Sequence, residues 1–346
     1  MEIRQHNTFS ARYEVLRGGG VVGTLQPYSP GEVQCETESE LVLSFRGTFY
    51  AAEKFNFLTD RLRPVVILNG EEYPLGVYAV TTEERGADGT AETVTLEAYS
   101  LLYFARQKKT ETRLHISAGE NYITVIVNLL AQAGLDAIDA EKTDYTFETD
   151  REDWDIGTEI LTIVNTLLGE ISYKKAYTDL RGNVILRKYR PPTVSSIAHE
   201  YTEGVDSCIA PGYKITDDRY DKANVFRLTC DNPDKSAVLV AIAENNSPDS
   251  PFSIPSMGGR RILHAEKVDN VPTQEALQER ANAMRDKSMQ STEEIEFYTA
   301  IAPVHVPHDT VAIQVGGAAG IFAEIGWRLT MSPEEDMTHT ARRVIT

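Results

Sequence analysis

The chain has 346 residues, enough for two or three domains, and its 41 % hydrophobic and 25 % charged content suits a packed core and excludes a disordered chain. A net charge of −18 speaks against tight binding to nucleic acid, which rests on lysine and arginine neutralising phosphates. DNA as a passing cargo remains compatible with an acidic wall, although solubility is the simpler reading of the charge. No apolar run approaches the roughly 18 residues of a membrane span. Residues 1–5 lack the charged-then-apolar pattern of a signal peptide, so synthesis and assembly are expected in the cytoplasm.

Residues 1–105 read as strands. Segments 13–16 and 21–25 flank a turn of Gly18, Gly19 and Gly20, and 41–45 follows. Segments 65–68 and 73–80 are joined by Asn69-Gly70, whose easy positive φ angles favour a type I′ hairpin. Segment 92–99 alternates Val94, Leu96 and Ala98 against Thr93, Thr95 and Glu97, after a turn at 86–89. Short strands with turn signals between them predict a small antiparallel barrel or sandwich.

Residues 106–192 change character and predict a compact α+β domain. Ser117 and Glu120 fit a capping box, followed by Ile123, Ile126, Val127 and Leu130 at helical spacing and Gly134 as the stop. A second helix is expected after Asp155 as N-cap, burying Ile160, Ile163, Val164 and Leu167 and ending near Gly169. Segments 171–177 and 184–189 should form a hairpin around 179–183, and Pro191-Pro192 marks a boundary.

Residues 193–346 return to strands with one helix. Thr273 can cap a helix over about 273–289, with Glu275 near its positive dipole end. Leu277, Ala281, Met284 and Ser288 give it a narrow apolar stripe, so it is expected on a barrel surface. Segments 311–315 and 321–331 form a last strand pair around Gly316 to Gly320.

Reactive patterns are sparse. Cys35, Cys208 and Cys230 lie far apart, without a C-x-x-C pair, and are expected as small buried hydrophobes. His305 and His308 with Asp309 come nearest to a metal site, but Pro303 and Pro307 forbid a regular helix there, and zinc wants more ligands. The preferred reading is a polar entry to a strand. Residues 144–155 are dense in carboxylates, Asp150, Asp153 and Asp155 among them, and paired carboxylates can cleave glycosides. Their local clustering fits a solvated connection better, and a calcium-loop pattern is absent. The glycine runs match neither a phosphate-binding loop nor a dinucleotide fingerprint, and no spacing selects a catalytic triad. No catalytic, cofactor-binding or metal residue is therefore assigned, and no cofactor is expected.

Several segments in order carry a resemblance. Asn224 to Phe226 opens an apolar run, followed by Glu244 to Pro251, Met257-Gly258-Gly259, the helix near 273–289, Asp309, and Gly326-Trp327-Arg328. This order resembles the C-terminal part of phage tail baseplate hub proteins. Independently, Asn128 to Leu135, Trp154 to Leu161, Ile171 to Tyr173 and the 179–183 turn resemble the family's middle region. The likeness is nearest to hubs of prophages and phage-tail-like particles of Gram-positive bacteria.

The resemblance implies a mainly β, α+β chain with two tail-tube-like antiparallel β-barrel domains, 1–105 and 193–346, separated by a small α+β domain, 106–192. It also implies a homotrimer joining a hexameric tail tube to a trimeric spike or tip, with other baseplate proteins as neighbours and no specific binding of nucleic acid. Some hubs extend into peptidase or spike domains; this sequence ends at Thr346 without one, so no wall-cleaving activity is expected. The rivals are a wall hydrolase using the 144–155 carboxylates, and a carbohydrate-binding module with Trp154, Trp327 and tyrosines as stacking platforms.

Overall fold

Eight strands open the chain in the computed structural model, which describes residues 8–51, 55–87, 89, 91–205, 207–218, 220, 222–231, 237–290 and 293–345. They are β1 (Phe9–Arg17), β2 (Gly20–Leu25), β3 (Glu32–Glu36), β4 (Leu43–Tyr50), β5 (Arg61–Leu68), β6 (Glu71–Pro74), β7 (Tyr78–Ala87) and β8 (Glu92–Ser100). Strict alternation drives the pairing. Leu43, Phe45 and Phe49 of β4 and Val94, Leu96 and Ala98 of β8 turn to one buried face. The β5–β6 turn holds Asn69 at φ 54° and Gly70 at φ 85°, the two positive angles that a type I′ hairpin requires.

Two strand assignments need correction. The expected strand over 73–80 breaks into β6 and β7, because Leu75 turns into the core and Gly76 sits at φ 117° with no room for a Cβ against the Tyr78 ring. The strand expected at 41–45 runs on to Tyr50, and β3, which pairs with it, carries too short a pattern to stand out. Of the turn expected at 86–89, Asp88 lies outside the described residues.

The middle segment contains α1 (Tyr103–Gln107), α2 (Tyr122–Gln132), β9 (Ile138–Ala140), α3 (Ile160–Glu170), β10 (Tyr177–Thr178) and β11 (Val184–Leu186). Neither expected cap does the capping. Asn121 caps α2, its Oδ1 accepting from the Ile123 and Thr124 amides at 3.1 and 3.2 Å. Ser117 and Glu120 close the preceding turn, the Ser117 amide donating to Glu120 Oε1 at 3.0 Å. Asp155 lies well before α3, because residues 157–160 are held extended against 108–110; the Ile160 amide donates to the Lys108 carbonyl at 2.9 Å. Tertiary pairing overrides local propensity here. Gly134 ends α2 at φ 80° as expected.

Ile126, Leu130, Ile163 and Leu167 are all fully buried in one cluster between α2 and α3. Leu130→Ala is therefore expected to cost about 2–5 kcal/mol in denaturant unfolding. A cost under about 0.5 kcal/mol, the range of surface changes, would contradict that packing.

The remainder comprises β12 (Ile197–Thr202), β13 (Ile209–Asp217), β14 (Val225–Cys230), β15 (Leu239–Glu244), β16 (Leu263–Val268), α4 (Gln274–Gln290), β17 (Glu293–Thr299), β18 (Thr310–Val315), β19 (Ala318–Thr330) and β20 (Met337–Arg343). Thr273 caps α4 as expected, accepting from the Ala276 amide at 3.1 Å. The Leu277 and Ala281 stripe packs on the small sheet β15-β14-β16 rather than on the large one.

Strands from both β-rich ends join one fourteen-stranded sheet, in the order β13-β17-β20-β19-β3-β4-β8-β7-β5-β1-β2, with β18 on β19, β12 on β18 and β6 on β5. The link is β19 with β3, antiparallel from Gly326 opposite Glu36 to Thr330 opposite Glu32. β19 also serves two cores. Phe322 packs with Phe297 and Ile313, while Trp327 and Leu329 pack with Phe45 and Leu43.

Candidate functional site

The handover along β19 concentrates the chain's buried polar chemistry. One edge of β19 pairs with β18 up to Ala323 and with β3 from Gly326. The other edge pairs with β20 and bulges between Glu324 and Gly326. Such a bulge re-aims side chains. Here the Ile325 carbonyl accepts from the Thr37 amide at 2.9 Å, and the Glu324 amide donates to the Asp309 carbonyl at 2.9 Å. The Glu324 side chain is thus held inside, 3 % exposed.

Two imidazoles meet that carboxylate. His305 Nδ1 lies 2.7 Å from Glu324 Oε2, and His339 Nδ1 lies 2.8 Å from Oε1. An ionised carboxylate only accepts, so both Nδ1–H groups donate to it. Tyr201 Oη bonds His305 Nε2, and Thr299 Oγ1 lies 2.9 Å from His339 Nε2. At the margin His199 stacks on His305 at 4.0 Å and bonds Asp309 Oδ2 at 3.2 Å. Burial pushes the Glu324 carboxyl upward, but the two imidazole donors outweigh it and hold the group below the usual range. Burial likewise lowers the His339 pKa, against the pull of Glu324.

This arrangement has the carboxylate–histidine–hydroxyl order of a nucleophilic site. Thr299 is nevertheless fully buried and Tyr201 5 % exposed, so no substrate reaches either oxygen. Two groups of ligand-type atoms, His199 with His305 and Asp309, and His305 with Glu324 and His339, come within 4.8 Å of one another. Both ring nitrogens of His305 and His339 and both oxygens of Glu324 are engaged in the hydrogen bonds above, so a metal at either group would have to break one of them. What the network does is tie β12, β17, β19, β20 and the loop before β18 together at the point where β18 gives way to β3.

His305 and His308, three apart in sequence, part company. His305 enters the network. His308 sits at φ 71° against the edge of the Tyr177 ring, 4.8 Å away, with its Nε2 buried and unpartnered. Nothing in the sequence links His305 to Glu324 or His339, since no short spacing or shared element connects them.

Asp150, Asp153 and Asp155 of the 144–155 run go to separate contacts. Asp150 Oδ1 accepts from the Ala118 amide at 2.8 Å, Asp153 pairs with Arg151, and Asp155 is exposed at 4.0 Å from Arg113. Arg151, 5 % exposed, reaches inward to Glu170 with two bonds of 3.0 Å, and the Tyr122 hydroxyl donates to the same carboxylate at 2.8 Å. Trp154 and Trp327 are buried in separate cores, 8 % and 3 % exposed, and offer no stacking platform. Cys35 and Cys230 are buried as expected, whereas Cys208 is half-buried.

No protein-family model and no curated protein matches the chain. Solved structures do. A tail protein from Neisseria meningitidis superposes with a TM-score of 0.68 at 11 % identity, over 96 % of both chains. The 43 kDa tail protein of prophage MuSo2 from Shewanella oneidensis gives 0.65 at 10 % identity, over 97 % of this chain and 98 % of that one. The Escherichia coli c3393 protein, a type VI secretion component described as similar to T4 tail proteins gp27 and gp5, gives 0.56 at 9 % identity, over 96 % and 77 %. The chain therefore has the fold of phage tail proteins. The resemblance to a phage tail family read from its segments is thus matched in fold, across nearly the whole length.

Proposed function

We propose that the chain is a structural component of a phage tail or phage-tail-like particle, and within it the baseplate hub. Residues 1–105 and 193–346 would supply two tube-like barrel lobes and 106–192 the α+β unit between them. Three copies in a ring would then present six such lobes to a hexameric tail tube. The opposite face would keep threefold symmetry for a spike or tip protein, beside other baseplate proteins. Synthesis would take place in the bacterial host cytoplasm, followed by incorporation into the particle's baseplate. Among the described residues no helix is long and apolar enough to cross a membrane.

The observation that carries this reading is the β3–β19 junction. Continuous hydrogen bonding fixes the two β-rich ends of one chain in a single sheet, and the buried Glu324 network locks the junction. An adaptor needs its two lobes at a fixed spacing, and a sheet shared between them supplies it. The hydrolase reading has no such support, because the carboxylates of 144–155 serve local structure and the histidine–hydroxyl pairs are sealed.

The test is the symmetry of the particle tip in an electron-microscopy map. Three copies stacked on a hexameric ring at the end of the tube are expected. Six copies, or a location away from the tube's end, would overturn the hub assignment.

A further inference from the structure

A cavity of about 350 Å³ opens beside the β19 handover, between the α3–β10 connection, the C-terminal half of α4 and the loop before β18. Its charged lining is mostly basic, although the chain as a whole carries 52 acidic against 34 basic residues. The two carboxylates there are engaged: Glu38 pairs with Arg342, and Glu324 holds His305 and His339. Arg190 on the same wall pairs with Glu141. Lys174, Lys175 and Lys287 make no ion pair with any described residue; Lys287 rests over the Tyr189 ring, 5.0 Å from its centre.

Two orphaned polar atoms accompany these ammonium groups. His308 lines the cavity, and its Nε2 is buried without a hydrogen-bond partner. A neighbouring space of about 280 Å³ shares Lys175, Tyr189 and Lys287 with the first and contains Ser172, whose Oγ is also buried and unpartnered. Buried polar groups are normally paired, and each exception calls for an explanation. A solvated lysine face does not account for it, since burial, reinforced by the Lys287 charge, brings Lys174 down to about 8. Burial and the charges of Lys174 and Lys287 bring His308 down to about 3. Asp309 acts on Lys174 and Glu38 on Lys287 only at longer range than an ion pair.

We propose that this cavity binds a small phosphate-class oxyanion, with Lys174, Lys287 and His308 Nε2 as its ligands and Lys175 at the rim. Compact ammonium groups lining one half-open, partly desolvated space favour a tetrahedral oxyanion. The bound anion would join the middle segment to α4 and to the β19 junction. It would also favour protonated Lys174, so that affinity rises as the pH falls from about 9 to about 7.5, where phosphate still carries its second charge.

The experiment titrates inorganic phosphate into the purified full chain against chloride at matched ionic strength, following the thermal midpoint and the phosphorus-31 linewidth. A saturable rise of roughly 2–6 °C is expected, larger at about pH 7.5 than at about pH 9. Lys174→Met should fold, be at least as stable without phosphate because it removes an unpaired cation, and lose the response at least tenfold in affinity. Lys267→Met, on an exposed strand face, should keep it. Should Lys174→Met fail to fold, His308→Asn decides by the same criterion, since asparagine tolerates positive φ. Absence of a saturable shift in the native chain, or an undiminished shift in the folded variant, overturns the proposal.

Discussion

Arg151→Met is expected to destabilise the chain by about 3–5 kcal/mol, the cost of leaving a buried charge without its partner. Glu170 is 3 % exposed and holds Arg151 through two hydrogen bonds of 3.0 Å. Removing the guanidinium leaves the carboxylate with only the Tyr122 hydroxyl, in a place where burial already pushes its pKa up. The arginine also packs 5.1 Å from the Trp154 ring and 5.8 Å from Phe147. The double variant Arg151→Met, Glu170→Leu should recover most of the loss, because replacing both partners by apolar groups is often neutral. Denaturant midpoints followed by far-ultraviolet circular dichroism measure both variants. A single-variant loss below about 1 kcal/mol would mean that the pair is effectively solvated, as exposed pairs are.

Acid should weaken the fold in two stages. His308 and His339 both have folded-state pKa values below the unfolded imidazole, His308 at about 3. The stability they confer is complete above about 6.5 and is lost as the pH falls toward the folded values, since only the unfolded chain takes up the protons. For His308 alone this amounts to about 2 kcal/mol at pH 5, at about 1.4 kcal/mol per pH unit. The depressed Glu324 carboxyl acts in a lower window. Its contribution is present above the ordinary value of 4.5 and disappears as the pH drops through its folded value. His308→Asn should flatten the slope between pH 6.5 and 4 by close to one proton. Urea midpoints at three pH values in phosphate-free buffer test this; an unchanged slope would show that His308 is already protonated in the fold.

The legibility of the candidate sites was uneven for a physical reason. The acidic run at 144–155 was visible as composition, yet its function depends on Arg151 reaching Glu170 on α3, which no pattern within the run encodes. His305 and His308 invited reading as a pair, but Pro307 and the positive φ of His308 send the two rings to opposite duties. Glu324 carried no signal, since an isolated acid in an apolar strand looks like an edge residue until its neighbours are known. Helix starts failed for a related reason. Residues 157–160 are claimed by a strand-like pairing with 108–110 before they can form the first turn of α3.

The sequence by itself determined the local units: the Asn69-Gly70 hairpin, the apolar stripes of α2, α3 and α4, the Gly134 stop, and the order of segments that resembles tail hubs. These depend on φ preferences and on periodicities of two or 3.6 residues, which act between near neighbours. Only the tertiary structure decided that β3 lies against β19, where Thr37 meets Ile325 across 288 residues of chain. It alone put Glu324 between His305 and His339, and three unpaired lysines around one cavity. Such meetings are selected by the summed burial of whole strands against the entropy of closing very long loops, a cost that grows only logarithmically with separation, so no local pattern records which partner wins.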